Sequence, residues 1–231
     1  MRSRERPTVV ARSATLYSRG AVHTWMSSTV AIRIEGAGQT ATSVAAVLSE
    51  SLNANEAVSR APTQVCEAYE DISESNPFLN YLIYNKVEGR GIHKCSHYFE
   101  VYNTHLAHFI GQEVHIVEIG IQSGGSLEMW KHVFGRKAHV YGIDIDPAVR
   151  SFADEQTRIF VGDQADRSFW ATFREQAPRI DILIDDGGHL AEMMTVTLEE
   201  ILPHMSPNGV YLIEDIHGDA HPMWKYLTDE I

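Results

Sequence analysis

From about residue 112 the chain alternates between short aliphatic runs and longer segments in which apolar residues recur at helical spacing. The aliphatic runs predict buried strands and the longer segments predict helices. Strands that alternate with helices form right-handed βαβ units, so the pattern predicts an α/β fold with a parallel sheet. The predicted strands are residues 114–120, 138–145, 157–161, 180–185 and 209–214. The predicted helices are residues 127–134, a helix opened by Pro147, 166–176 and 191–205.

Two of the predicted strands run directly into pairs of acidic residues. The strand at 180–185 continues into Asp185, Asp186, two glycines and His189, and the last strand ends in Glu214 and Asp215. Unpaired carboxylates are costly to bury, so we expect them at the carboxyl edge of the sheet, where open α/β sheets bind ligands. Four carboxylates at one edge call for a cation. Oxygen ligands favour magnesium or manganese over zinc.

The first predicted strand, turn and helix contain Glu118, Gly120 and Gly124. Glycines in such a turn allow the backbone to approach a ligand at the helix N-terminus. Their spacing is not the dinucleotide fingerprint, which disfavours a nicotinamide oxidoreductase. Asp144 ends the second strand, where related folds place the acid that binds a ribose; the alternative is a solvated acid before a helix. After the third strand, either Asp163 or Asp166 could meet an adenine amino group, and either could cap a helix instead.

The composition is that of an ordinary globular protein, with 44% hydrophobic and 22% charged residues. The formal net charge of −12 argues against nucleic acid as a main partner, because phosphate binding needs a basic surface. We also expect no membrane partner, because no apolar run approaches the about 18 residues of a membrane span. Two cysteines give no disulfide framework, so a cytoplasmic location is the expectation.

Residues 1–34 are rich in Arg, Ser, Thr and Ala, and Glu5 is their only acid. This composition is typical of a mitochondrial or plastid transit peptide. The alternatives are a disordered tail or an upstream extension, with Met26 as the true start. The division we predict is a flexible or targeting segment over residues 1–62 and a domain over residues 63–231.

Five motifs occur in order: VEIGIQSGGSLEMW at 117–130, YGIDID at 141–146, VGDQ at 161–164, IDDGGH at 184–189 and IED at 213–215. Together they resemble the class I S-adenosylmethionine-dependent methyltransferases. Within that superfamily the chain is most similar to the magnesium-dependent sugar O-methyltransferases of macrolide and other antibiotic pathways, of mycinamicin type, and to a related group labelled cephalosporin hydroxylase. The similarity covers about residues 85–218 and includes Lys94, His97, Tyr98 and Tyr102.

The resemblance implies a Rossmann-like fold and a role for each motif. Glu118, Gly120 and Asp144 would contact S-adenosylmethionine, and Asp163 and Gln164 would lie near its adenine. The metal ligands would be Asp186, Glu214 and Asp215, and His189 would be the base. A metal ion that lowers the pKa of a bound sugar hydroxyl would let a histidine take its proton near neutral pH.

The sequence departs from this family at Gly188, where serine is common, and after the fifth strand. Class I methyltransferases continue with a sixth and a seventh strand, so the domain looks truncated and the chain may be a fragment. The expectation that follows is an exposed sheet edge along residues 210–214, and self-association into a homo-oligomer through it.

The function that the sequence predicts is methylation of a sugar hydroxyl in a small glycosylated molecule. Two alternatives stay open: a catechol-type O-methyltransferase, which uses the same cofactor and metal, and a truncated module that binds cofactor without catalysis.

Overall fold

The computed structural model describes residues 11–17, 27–34, 46–48, 76–84, 90–95, 97–218 and 220–229. The strands in these ranges are β1 Ala11–Tyr17, β2 Ser27–Ile34, β3 Ala46–Leu48, β4 Val114–Ile119, β5 Ala138–Asp144, β6 Thr157–Val161, β7 Ile180–Asp185 and β8 Met205–His217. They form one eight-stranded sheet in the order β3-β1-β2-β8-β7-β4-β5-β6.

The α-helices in the same ranges are α1 Pro77–Tyr84, α2 Tyr98–Leu106, α3 Gly125–Phe134, α4 Arg167–Gln176, α5 Ala191–Ile201 and α6 Pro222–Asp229. Short 3-10 helices follow at Ala107–Phe109, Pro147–Phe152 and Leu202–His204. None of the described helices is long and apolar enough to cross a membrane.

The parallel core agrees with the sequence prediction. β4 pairs in parallel with β5 and β7, β5 pairs with β6, and β7 pairs with β8. Each of these strands is joined to the next by a helical segment, as βαβ units require. The prediction of a Rossmann-like α/β fold with a mostly parallel sheet is confirmed.

Helices cover both faces of the sheet because alternate side chains of each strand point to opposite faces. On one face, Trp170 of α4 and Met194 of α5 pack in a core cluster with Ile180 and Leu183 of β7. On the other face, aromatic and aliphatic residues of α1, α2 and α3 pack in a second cluster that includes Ile182 of the same strand. The helices on this second face bring residues 90–102 to the carboxyl edge of β4, β7 and β8.

The expectation of an exposed edge along residues 210–214 is wrong. β2 pairs with β8 in antiparallel register, with Val30 opposite Ile213 and Ile32 opposite Tyr211. The side chains of Val30 and Ile32 are buried in the core cluster on the α4 and α5 face. Antiparallel pairing supplies hydrogen-bond partners to an edge that would otherwise be open.

β2 lies within residues 1–62, for which we expected a flexible or targeting segment. The structure instead includes residues 27–34 in the sheet, and β1 pairs with β2 beyond them. Of residues 1–34, positions 1–10 and 18–26 lie outside the described residues. A targeting role for the leader therefore stays a prediction.

Candidate functional site

The acids predicted at the strand ends come together because β4, β7 and β8 are neighbours in the sheet. Glu118 lies in β4 opposite Ile184 of β7, and Asp186 directly follows β7. Glu214 and Asp215 lie near the end of β8. Glu118 and Glu214 are fully buried, whereas the side chains of Asp186 and Asp215 are 12% and 25% exposed. The site is therefore an acidic depression whose floor is closed to solvent.

One group in this depression has the spacing of a metal site. Asp186, His189 and Asp215 each offer one ligand atom, and these atoms all lie within 4.8 Å of one another. His189 Nε2 is 3.9 Å from Asp186 Oδ1 and 3.9 Å from Asp215 Oδ2. Magnesium–oxygen distances of about 2.0–2.1 Å place two ligands of one ion up to about 4.2 Å apart. The distances from His189 Nε2 to both acids lie within this limit, and carboxylate oxygens are the ligands that a hard divalent cation prefers.

Glu214, the third predicted ligand, is held by protein groups on both oxygens. Lys94 Nζ donates to Oε2 at 2.9 Å, and the Tyr102 hydroxyl donates to Oε1. Glu214 therefore does not join the three residues with metal spacing, although each carboxylate oxygen keeps a second lone pair.

Asp185, the acid before Asp186, is turned into the protein interior. Its Oδ1 accepts from Gln164 Nε2 at 3.0 Å and its Oδ2 accepts from the Tyr211 hydroxyl at 3.2 Å. Successive strand residues point to opposite faces, which separates this buried acid from Asp186 at the edge.

The backbone is strained where it presents the polar side chains. His189 and Asp215 have φ angles of 54° and 56°, and Gln122 in the glycine turn has 42°. Such conformations cost of order 1–3 kcal/mol for residues with a side chain and cluster at functional sites. The Tyr98 hydroxyl donates to Asp215 Oδ1 and lies 3.0 Å from the Asp215 amide nitrogen, which holds that strained residue in place.

The electrostatics of the depression favour a bound cation. Burial raises the pKa of Glu214 to about 8, with Lys94 opposing the shift and Asp186 adding to it. Burial also raises the pKa of Asp186 to about 6, again opposed by Lys94 and increased by Glu118 and Asp215. The carboxylates thus carry more negative charge than the protein neutralises, and a cation would replace the protons that they otherwise take up.

The glycine turn after β4 packs closely against the protein at both glycines, so the approach of a ligand there stays a prediction. Gly120 has a φ of 81°, and a Cβ there would lie 2.0 Å from the Asp186 carbonyl oxygen. No side chain can occupy this position, so the turn after β4 packs directly against the turn after β7. Gln122 N donates to Asp144 Oδ2 at 3.1 Å, which brings the predicted ribose acid to the turn. Gly124 has a φ of 76°, and a Cβ there would lie 2.8 Å from the Phe152 ring.

Two predicted cofactor residues are used within the protein. Glu118 Oε2 accepts from Trp130 Nε1 at 2.8 Å, and its Oε1 lies 2.8 Å from Lys94 Nζ. Gln164 is buried, and its amide binds Asp185 and Thr197 through Nε2 and the Gly188 amide through Oε1. Gln164 therefore shapes the glycine pair before His189.

The structure places the remaining candidates in the loop after β6. Asp163 is exposed, and its Oδ1 accepts from the Ala165 amide at 2.8 Å. Asp166 is the N-cap of α4, where its side chain accepts from Ser168 N, as the capping alternative proposed.

The resemblance included Lys94, Tyr98 and Tyr102, but the sequence did not predict that these residues hold the carboxylates. Lys94 contacts three of them, and Tyr98 and Tyr102 each hold one. The spacing of the two tyrosines places both on one face of α2, which was a detectable signal. Lys94 precedes that helix in a segment without regular structure, where no periodicity points to its partners.

Comparisons with known proteins found a matching family model and similar proteins. Residues 117–216 fit a family model described as a methyltransferase domain. Demethylmacrocin O-methyltransferase of Streptomyces fradiae is 38% identical over 143 residues, with 55% of this chain and 35% of that protein covered. The 8-demethyl-8-alpha-L-rhamnosyl tetracenomycin-C 2'-O-methyltransferase of Streptomyces olivaceus is 33% identical over 147 residues, with 61% of this chain and 38% of that protein covered. The chain thus spans little more than a third of the length of these relatives.

A solved structure gives the same result for the fold. MycE, a methyltransferase of the mycinamycin biosynthetic pathway solved in complex with Mg and SAH, is 29% identical with a TM-score of 0.50. The match covers 60% of this chain and 36% of that chain. The resemblance to class I S-adenosylmethionine-dependent methyltransferases is confirmed: residues 117–216 match a methyltransferase-domain model, and the fold is Rossmann-like, as in MycE.

Proposed function

We propose that the protein is a magnesium-dependent O-methyltransferase that transfers the methyl group of S-adenosylmethionine to a sugar hydroxyl of a small glycosylated molecule. The observation that carries the proposal is the meeting of Asp186, His189 and Asp215 beside the glycine turn of β4. The names of the two relatives describe O-methyltransferases of demethylmacrocin and of a rhamnosyl tetracenomycin, and MycE was solved with Mg and SAH. Because the chain covers only part of those proteins, its activity and substrate are inferred.

The cofactor would lie against the turn that follows β4. Gly120 and Gly124 let this turn pack closely against Asp186 and Phe152, and it leads into the N-terminus of α3, where backbone N–H groups can meet a ligand. Asp144 has one oxygen bound to Gln122 N and the other to Asp146 N, so its carboxylate is fixed at the edge of the turn. We assign it to the ribose hydroxyls, with Asp163 on the exposed loop near the adenine.

The metal ligands that we propose are Asp186 and Asp215, with Glu214 as the third. Glu214 would use lone pairs that remain on oxygens already bound by Lys94 and Tyr102. A bound divalent ion would supply charge that lowers the pKa of a sugar hydroxyl, which is otherwise far above 7.

His189 is the residue that we propose as the general base. Magnesium prefers oxygen ligands, which leaves the imidazole free to accept a proton although its Nε2 lies among the candidate ligand atoms. The Asp186 and Asp215 carboxylates, each 3.9 Å from Nε2, would stabilise the imidazolium once the proton has been taken. The strained backbone at His189 directs the ring toward the two acids.

The test is a calorimetric titration of the protein with S-adenosylhomocysteine, with and without magnesium, followed by a methyl-transfer assay on glycosylated macrolides and aromatic polyketides. We expect cofactor binding and turnover that EDTA abolishes. Cofactor binding without turnover on any hydroxyl would favour the non-catalytic module. Turnover on catechols alone would favour the catechol-type alternative, and full activity in EDTA would refute the metal site.

A further inference from the structure

A lysine side chain lies at the centre of the acidic depression. Lys94 Nζ is 2.8 Å from Glu118 Oε1, 2.8 Å from Asp186 Oδ2 and 2.9 Å from Glu214 Oε2, and its side chain is 3% exposed. These acids come from the ends of three adjacent strands. Lysine is almost never buried to this extent unless it is paired. Burial lowers the pKa of Lys94, but the carboxylates outweigh it and hold that pKa well above its usual range.

The ammonium divides the carboxylate oxygens into two sets. It takes Asp186 Oδ2 and Glu214 Oε2 on the inner side of the depression. Asp186 Oδ1 is left on the outer side, where it faces His189 Nε2 and, with Asp215, has metal spacing. Asp186 would therefore bridge Lys94 and the proposed ion, which places two cations on one carboxylate.

The ammonium also connects the two halves of the proposed site. Lys94 Nζ contacts Glu118 Oε1 on the cofactor side and also contacts Asp186 and Glu214 on the metal side. The cluster holds four carboxylates, and Lys94 neutralises only one of their charges. A divalent ion and the sulfonium of the cofactor would together supply the other three.

We infer that Lys94 is a resident counter-cation: it holds Glu118, Asp186 and Glu214 together in the ligand-free protein, and its charge weakens the binding of the metal. In this role Lys94 is a positioning residue that acts through the carboxylates. The inference rests on the proposed function only for the part that concerns the metal. If Lys94 only packed against its neighbours, its substitution would instead weaken metal binding, because the ligand side chains would become disordered.

The first experiment is a double-mutant cycle on the full chain in EDTA, read as melting temperature. Lys94→Met keeps an unbranched side chain but removes the charge, so it leaves three buried carboxylates without their cation and should lower the melting temperature strongly. Glu118→Gln removes one of those charges and keeps an oxygen for Trp130 Nε1. If Lys94 is a counter-cation, the double variant melts above Lys94→Met; losses that simply add would overturn the inference. The inference would also be overturned if neither Lys94→Met nor the double variant folded, because removal of the Glu118 charge would then have restored nothing.

Lys131→Met is the matched control. Lys131 also joins two carboxylates, Glu128 at 3.0 Å and Asp154 at 2.5 Å, but their side chains are 26% and 42% exposed. Its loss should lower the melting temperature only slightly, because partly exposed ion pairs contribute little. Lys94→Arg keeps the charge and should recover stability relative to Lys94→Met.

The second experiment titrates the same variants with MnCl₂ or MgCl₂ alone, without cofactor. Lys94→Met should bind the metal more tightly than the wild type, by roughly 5- to 150-fold if the coupling is of the usual size between interacting sites. Saturating metal should also recover most of its lost melting temperature, whereas Lys131→Met should show neither effect. Weaker metal binding by Lys94→Met would overturn the inference. Wild-type protein that binds no metal would count against the proposed function, and the cycle in EDTA would still decide the role of Lys94.

Discussion

Replacement of Ile32 by alanine should destabilise the whole domain that is built on the eight-stranded sheet. Ile32 lies in β2, is 1% exposed, and is paired in register with Tyr211 of β8. It belongs to the core cluster between the sheet and the helices α4 and α5. The substitution removes three carbon atoms from a closed core, which leaves a cavity as well as losing the transfer free energy.

The expected loss is about 2–5 kcal/mol, the usual range for this change at a buried site. For a chain of this length, each kcal/mol lowers the melting temperature by about 2–4 °C, so the shift should be roughly 4–20 °C. A larger loss would follow from a chain that begins after residue 34, since it would lack all of β2 and expose the edge of β8.

The assay is thermal and urea denaturation of the purified variant followed by circular dichroism. Ile110→Ala is the control, because the same atoms are removed from a side chain that is 39% exposed. That variant should lose distinctly less stability. An Ile32→Ala protein within about 0.5 kcal/mol of the wild type, the range of ordinary surface changes, would show that β2 is dispensable and that the flexible-segment expectation was right.

Three further predictions concern the site and the pH dependence. Asp186→Asn should abolish magnesium-dependent methyl transfer while S-adenosylhomocysteine still binds in calorimetry. His189→Ala should still bind magnesium and S-adenosylhomocysteine but lose roughly 10²–10⁴-fold in turnover. A near-normal rate for His189→Ala would exclude His189 as the base. Asp144→Asn should weaken S-adenosylhomocysteine binding roughly ten- to a hundred-fold through loss of a charge-assisted hydrogen bond, and unchanged affinity would remove it from the site. Burial, together with the Arg33 guanidinium, lowers the pKa of His105 to about 4 from 6.5. Its neutral form is therefore favoured by folding, so up to about 3 kcal/mol of stability should be lost as the pH falls from 6.5 to 4. His105→Gln should flatten urea-denaturation stability in that window, and an unchanged pH profile would contradict the assignment.

The sequence alone determined the parallel core and the position of the site. The alternation of aliphatic runs with helical segments defines β4 to β8, because strand and helix periods are local properties of the chain. The handedness of βαβ units then orders those strands with little freedom. Acids at the ends of two strands and a glycine turn at the end of a third must meet at one edge, so the positions of Asp186, Asp215 and Gly120 follow from the sequence.

Only the tertiary structure decided how that edge is completed. The sequence of residues 27–34 does not indicate which strand they pair with. They pair with β8, which would otherwise be the edge strand of the parallel sheet. Lys94 lies 92 residues from Asp186 and 120 from Glu214, and it contacts both only because β7 and β8 are neighbours. The same contacts, with the Tyr102 hydroxyl, fix the oxygens of Glu214. Local patterns specify which residues form strands, but the partners of a buried charge depend on the assembled sheet, because desolvation forces each charge to pair with whatever the fold brings within reach.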